Sequence, residues 1–65
     1  MPSSVVARYY YDADKANLTI VFVSGAVYKY LKVPESEYTS FKQSRSKGEY
    51  LNKFIKGKYA YKKVD

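Results

Sequence analysis

Ser24-Gly25-Ala26-Val27-Tyr28-Lys29-Tyr30-Leu31-Lys32-Val33-Pro34 packs a turn, a strand and a helix start into eleven residues. Gly25 supplies the tight turn, because glycine alone enters left-handed backbone freely. Tyr28 and Tyr30 stand two apart, so both rings fall on one face of a strand. Val27, Lys29 and Leu31 take the other face. Pro34 cannot donate to a sheet ladder and is pre-set for the first turn of a helix. The period of the apolar pattern changes there, from two to that of a helix.

Upstream, the chain reads as two more strands. Val5-Val6-Ala7-Arg8-Tyr9-Tyr10-Tyr11 is rich in branched and aromatic residues. Positions 5, 7, 9 and 11 are wholly apolar or aromatic, and are expected to face inward. Asp12-Ala13-Asp14-Lys15-Ala16-Asn17 is a turn built from residues whose side chains bond their own backbone. Its D-x-D pair departs from a calcium loop, with Ala16 at the fifth position and Asn17 where glycine is required. Leu18 to Val23 is the second strand, with Leu18, Ile20 and Phe22 on one face. Short turns between strands in series give an antiparallel meander.

Downstream the spacing becomes helical. Pro34-Glu35-Ser36-Glu37 opens a first helix with acids where the dipole favours them. Tyr38 and Phe41 mark its buried side, Val33 is placed to staple against Tyr38, and the helix stops near Gln43-Ser44-Arg45. Ser46-Lys47-Gly48-Glu49 fits a capping box and opens a second helix. Tyr50, Leu51, Phe54 and Ile55 form its apolar stripe. Gly57 stands where a helix ends in left-handed geometry. Lys58 to Val64 is extended and is expected to pair as a short fourth strand. The expected fold is therefore α+β: a three-stranded antiparallel meander, two short helices and a short C-terminal strand. The expected core is Leu18, Ile20, Phe22, Tyr28, Tyr30, Phe41, Leu51, Phe54 and Ile55.

Composition bounds the chemistry. The chain has 65 residues, which reads as a single domain spanning 1–65, with 9 Tyr, 3 Phe and neither Cys nor His. Disulfides and the usual zinc ligands are excluded, so rings must fill much of the core. Ser-His-Asp and Cys-His catalysis is excluded for want of a base or a thiolate. The six acids are Asp12, Asp14, Glu35, Glu37, Glu49 and Asp65, and no two of them are spaced for acid–base work. The three glycines stand apart, so no phosphate-cradling loop exists. These absences point away from an enzyme and from any cofactor or metal. Met1-Pro2-Ser3-Ser4 lacks a basic region and an apolar run, and Ile20-Val21-Phe22-Val23 is too short to span a bilayer. A cytoplasmic monomer without membrane contact is expected.

Charge supplies the functional lead. Twelve basic residues against six acidic ones give a net charge of +6, which favours polyanionic partners. Lys53 and Lys56 are three apart, so they are expected to share a face of the second helix. Lys47 precedes that helix and Lys58 follows it. Lys62 comes next, interleaved with Tyr59 and Tyr61. Cations beside rings suit single-stranded nucleic acid, the charges tracking phosphates and the rings stacking on bases. The same residues have an ordinary structural account: lysines near a helix C-terminus complement its dipole, and tyrosines fill cores. For Tyr28 and Tyr30 strand periodicity favours the core. Asn52, among apolar neighbours, is expected to be buried and bonded to backbone; ligand binding is the alternative.

The ordered set of features resembles one family. Ser3-Ser4-Val5, Tyr11-Asp12, Leu18-x-Ile20-x-Phe22, Gly25-x-Val27-Tyr28-x-Tyr30, Val33-Pro34, Ser46-x-Gly48-x-Tyr50-x-Asn52 and Tyr59-x-Tyr61 match the KTSC domain in order. That module occurs at the C-terminus of some lysyl-tRNA synthetases and as stand-alone bacterial proteins. The resemblance implies an RNA-binding role, without an established activity or site. Two functions follow as expectations. One is an RNA-binding module (or one for another nucleic acid) using Lys47, Lys53, Lys56, Lys58, Lys62, Tyr59 and Tyr61. The other is a protein-interaction or regulatory module that docks an acidic partner.

Overall fold

A computed structural model describes residues 5–64. Four strands, β1 (Val6–Asp12), β2 (Asn17–Phe22), β3 (Val27–Tyr30) and β4 (Tyr61–Lys63), form one antiparallel sheet in the order β1-β2-β3-β4. Helix α1 (Glu35–Gln43) and helix α2 (Lys47–Tyr50) lie between β3 and β4 in the chain. The α+β architecture and the short fourth strand agree with the sequence pattern.

Register sorts the side chains into two faces, since directly opposed residues share a face. Tyr11, Leu18, Tyr30 and Tyr61 form one row, and Tyr9, Ile20, Tyr28 and Lys63 the next. This is the packed face. Leu18, Ile20 and Tyr30 on the sheet meet Val33, Phe41, Leu51 and Ile55 in one buried core. The other face carries Tyr10, Thr19, Lys29 and Lys62 in one row and Arg8, Val21 and Val27 in the next.

Aromatic contacts tie the helices to the sheet. Tyr11 stacks on Tyr38 of α1 with centroids 4.5 Å apart, and its hydroxyl donates to the Val33 carbonyl at 2.7 Å. Tyr9 meets Phe41 edge-on at 5.2 Å. Gly25 adopts φ +99° in the β2–β3 turn, and Gly57 φ +80° after the second helix, as their positions required. The Ser46 hydroxyl accepts from the Glu49 N–H at 3.4 Å, one of the two contacts of the expected capping box.

Three expectations need correction. The inward set 5, 7, 9, 11 holds only for Tyr9 and Tyr11. A bulge between Val6 and Arg8 shifts the register by one, so Val6 turns in while Val5 and Ala7 are exposed. Phe54 is not core: it is 48% exposed. Its α-helical spacing fails because Leu51–Ile55 continues α2 as a π turn, closed by a Lys56 N–H to Leu51 carbonyl bond of 2.7 Å. The wider turn keeps Leu51 and Ile55 buried and rotates Phe54 out onto Tyr50, centroids 4.7 Å apart. Phe22 and Tyr28 are only half-buried, packing at the margin of the core.

Candidate nucleic-acid interface

The predicted cationic residues do not form one surface. Lys47 lies in the first turn of α2 rather than before it, because Ser46 is the N-cap, and it is half-buried, its ammonium 5.9 Å from the centroid of the Tyr9 ring. Lys58 is exposed but pairs with Glu37 at 3.2 Å, the one salt bridge among the described residues. Tyr59 is half-buried, and its hydroxyl donates to Glu37 Oε1 at 3.0 Å. Tyr61, on the edge strand β4, stacks parallel to Tyr28 at 5.4 Å. Lys62 points to the far face, opposite Lys29. Lys53 and Lys56 remain exposed on and just after the π turn.

Glu37 is the electrostatic centre of this side of the fold. Tyr50 and Tyr59 donate to its carboxylate, as does Lys58. Burial pushes its pKa upward, but the three donors and the Lys58 charge outweigh that and hold it below the ordinary carboxylate value. Burial and the shared proton acceptor raise Tyr50 and Tyr59. The sequence did carry a signal for this residue: Glu37 stands four before Phe41 and so lies on the buried side of α1.

The π turn divides Lys53 from Lys56. Bonds closing over five residues widen the turn, so a spacing of three no longer returns to one face. Lys53 lines a small groove of about 210 Å³ with Arg45, Tyr50 and Phe54. Lys56 lines a larger one of about 380 Å³, between the β2–β3 turn and the second helix. The apolar wall of that groove comes from Val5, Phe22, Ala26, Tyr28 and Leu51, while Asn52, Ser24 and Lys56 supply its polar groups. Asn52 is exposed, contrary to the buried position its neighbours suggested. Glycine at position 48 keeps the groove open beside Val5, since a Cβ there would collide with the Val5 Cγ2 methyl.

The Tyr28 ring is fixed on several sides. Tyr61 stacks on it, Phe22 meets it edge-on at 5.6 Å, and its own strand is paired on both edges. The groove wall is therefore pre-formed rather than assembled by a mobile loop. Sequence spacing located Tyr28, Leu51 and Lys56 but gave no sign that they share a groove with Asn52. No helix among the described residues is long and apolar enough to cross a membrane.

Comparison with known proteins identifies the relatives. The family model described as KTSC domain matches residues 2–59. The lysine–tRNA ligase of Nostoc punctiforme is 43% identical over 61 residues, covering 94% of this chain and 11% of the ligase. That of Trichormus variabilis is 41% identical over the same shares of both chains. The chain thus spans 11% of the length of these curated relatives. The crystal structure of a KTSC domain protein from Yersinia pestis superimposes with a TM-score of 0.82 at 35% identity, covering 100% of this chain and 94% of that one. The chain belongs to the KTSC domain family.

Proposed function

We propose that this KTSC domain is an RNA-binding module that engages a single strand along the second helix, with Lys56 and Lys53 on phosphates. The observation that carries this is Lys56, an exposed cation with no carboxylate partner among the described residues, at the rim of a groove with an aromatic wall. Lysine–tRNA ligases act on a tRNA, and segments of such ligases align with 94% of this chain. A net charge of +6 supports the same partner class. Lys47 and Lys58 contribute to the field but are held by the fold, so their removal costs structure as well as charge.

The test is a fluorescence anisotropy titration with a labelled short single-stranded RNA. Affinity falls with salt by about 0.7 log units per log unit for each phosphate neutralised. Lys56→Glu weakens binding more than Lys53→Glu, because only Lys56 borders the larger groove. An affinity unchanged in the folded Lys53→Glu/Lys56→Glu double variant overturns this surface. Binding of an acidic protein that survives nuclease treatment, with no affinity for RNA, overturns the RNA reading.

A further inference from the structure

Taking RNA binding along the second helix as its premise, we infer that the groove between the β2–β3 turn and the second helix is a pocket for one unstacked nucleobase. Its volume of about 380 Å³ lies within the range of small-ligand sites, roughly 300 to 1,000 Å³. A nucleobase has apolar faces and a polar edge. The groove has the matching division, with Phe22, Tyr28 and Leu51 on its apolar wall and Asn52 and Ser24 among its polar groups.

Asn52 gives the pocket its chemical direction. Its side-chain amide offers both a donor and an acceptor, the combination that pairs with a base edge. It is exposed and has no side-chain hydrogen bond among the described residues. The π turn that carries it is a rare local geometry, met frequently at functional sites. Four residues on, Lys56 lines the same groove, so a phosphate attached to the bound nucleoside has its counter-charge beside it. An unpaired base in single-stranded RNA is free to enter such a pocket, whereas a base within a duplex is not.

Titration of the folded protein by NMR, first with each of the four nucleoside 5′-monophosphates and then with ribose 5-phosphate, tests this. The nucleotides shift the amides of Ser24, Gly25, Asn52 and Lys56, with unequal affinities among the four bases. Ribose 5-phosphate leaves Ser24 and Gly25 unmoved. Asn52→Ala weakens the best nucleotide about tenfold or more, with the urea midpoint unchanged because the side chain is exposed. Equal shifts with ribose 5-phosphate overturn the pocket in favour of a bare phosphate site. RNA affinity that depends on Lys56 but ignores Asn52→Ala, with Ser24 and Gly25 silent, overturns the pocket and leaves the RNA reading standing. Nucleotide binding that requires Asn52, in a protein with no affinity for RNA, supports the pocket and overturns the RNA reading. Silence toward nucleotides and RNA alike overturns both.

Discussion

Tyr59 Oη donates to Glu37 Oε1 at 3.0 Å, joining residues 22 positions apart in the chain. Tyr50 donates to the other carboxylate oxygen, so one acid links α1, α2 and the segment before β4. Glu37→Gln keeps the shape but removes the charge that strengthens these bonds. It is expected to destabilise the domain by about 1 to 3 kcal/mol, the scale of hydrogen bonds to charged groups. The pH dependence has a definite sign. The native carboxyl is held below its unfolded value, so its contribution is complete above that unfolded value and is lost as pH falls through the native one. Urea midpoints measured from neutral pH down through the acid range check this. The Glu37→Gln protein should show a shallower loss than the parent, and parallel curves would remove Glu37 from the account.

Tyr30 and Tyr28 share a face but not a burial, and truncation should separate them. Tyr30 is 1% exposed, within the buried core, whereas Tyr28 is half-buried at the groove. Tyr30→Ala is expected to cost about 3 to 5 kcal/mol, and Tyr28→Ala roughly half as much. Against a total of about 5 to 15 kcal/mol, the first threatens folding and the second does not. Circular dichroism and urea titration of the two variants decide it. Equal losses would mean that Tyr28 is as essential to the core as its neighbour.

Much of this architecture is legible along the chain because it obeys a period. Alternation of two placed Leu18, Ile20, Tyr28 and Tyr30 on the packed face, and the glycines at 25 and 57 marked turns that adopt positive φ. The features that escaped are local changes of period. The bulge at Val6 and Arg8 has no Gly or Pro to announce it, and it moved the inward face by one residue. The π turn is a change in backbone bonding that no side chain signals, yet it exposed Phe54 and sent Lys53 and Lys56 to separate grooves. Glu37 read as a dipole-favoured acid because its partners lie 13 to 22 residues away. Composition supplied the cations, and tertiary packing then dispersed them.

Gly48 makes a prediction about close approach. It is buried in α2, and a methyl added there would run into Val5. An open helical glycine replaced by alanine usually gains about 1 kcal/mol. Here the clash should reverse that gain and leave a net loss of up to about 2 kcal/mol. Val5→Ala removes the obstructing methyl and, at 46% exposure, should cost little alone. The double variant Val5→Ala/Gly48→Ala should therefore be more stable than the sum of the single changes, by at least about 0.5 kcal/mol. A double-mutant cycle by thermal unfolding reads this directly, and additivity would show that Val5 moves aside freely.

Lys29 and Lys62 stand directly opposite each other across β3 and β4, on the face away from the helices. Like charges in that position oppose pairing of the short edge strand, by a few tenths of a kcal/mol up to about 1. Lys62→Glu turns repulsion into attraction and should raise the urea midpoint at low salt, with the gain shrinking as salt screens the pair. Lys62 lies on the opposite side of the sheet from the groove, so the same change should reduce RNA affinity only by the loss of general charge. Lys56→Glu removes the same charge at the groove rim and should cost affinity well beyond that. Equal losses from the two variants would mean that RNA responds to net charge alone. A larger loss from Lys62→Glu would move the binding surface to the open face of the sheet, which Lys62 shares with its neighbour Lys29 and, across the sheet on β1, with Arg8 and Tyr10.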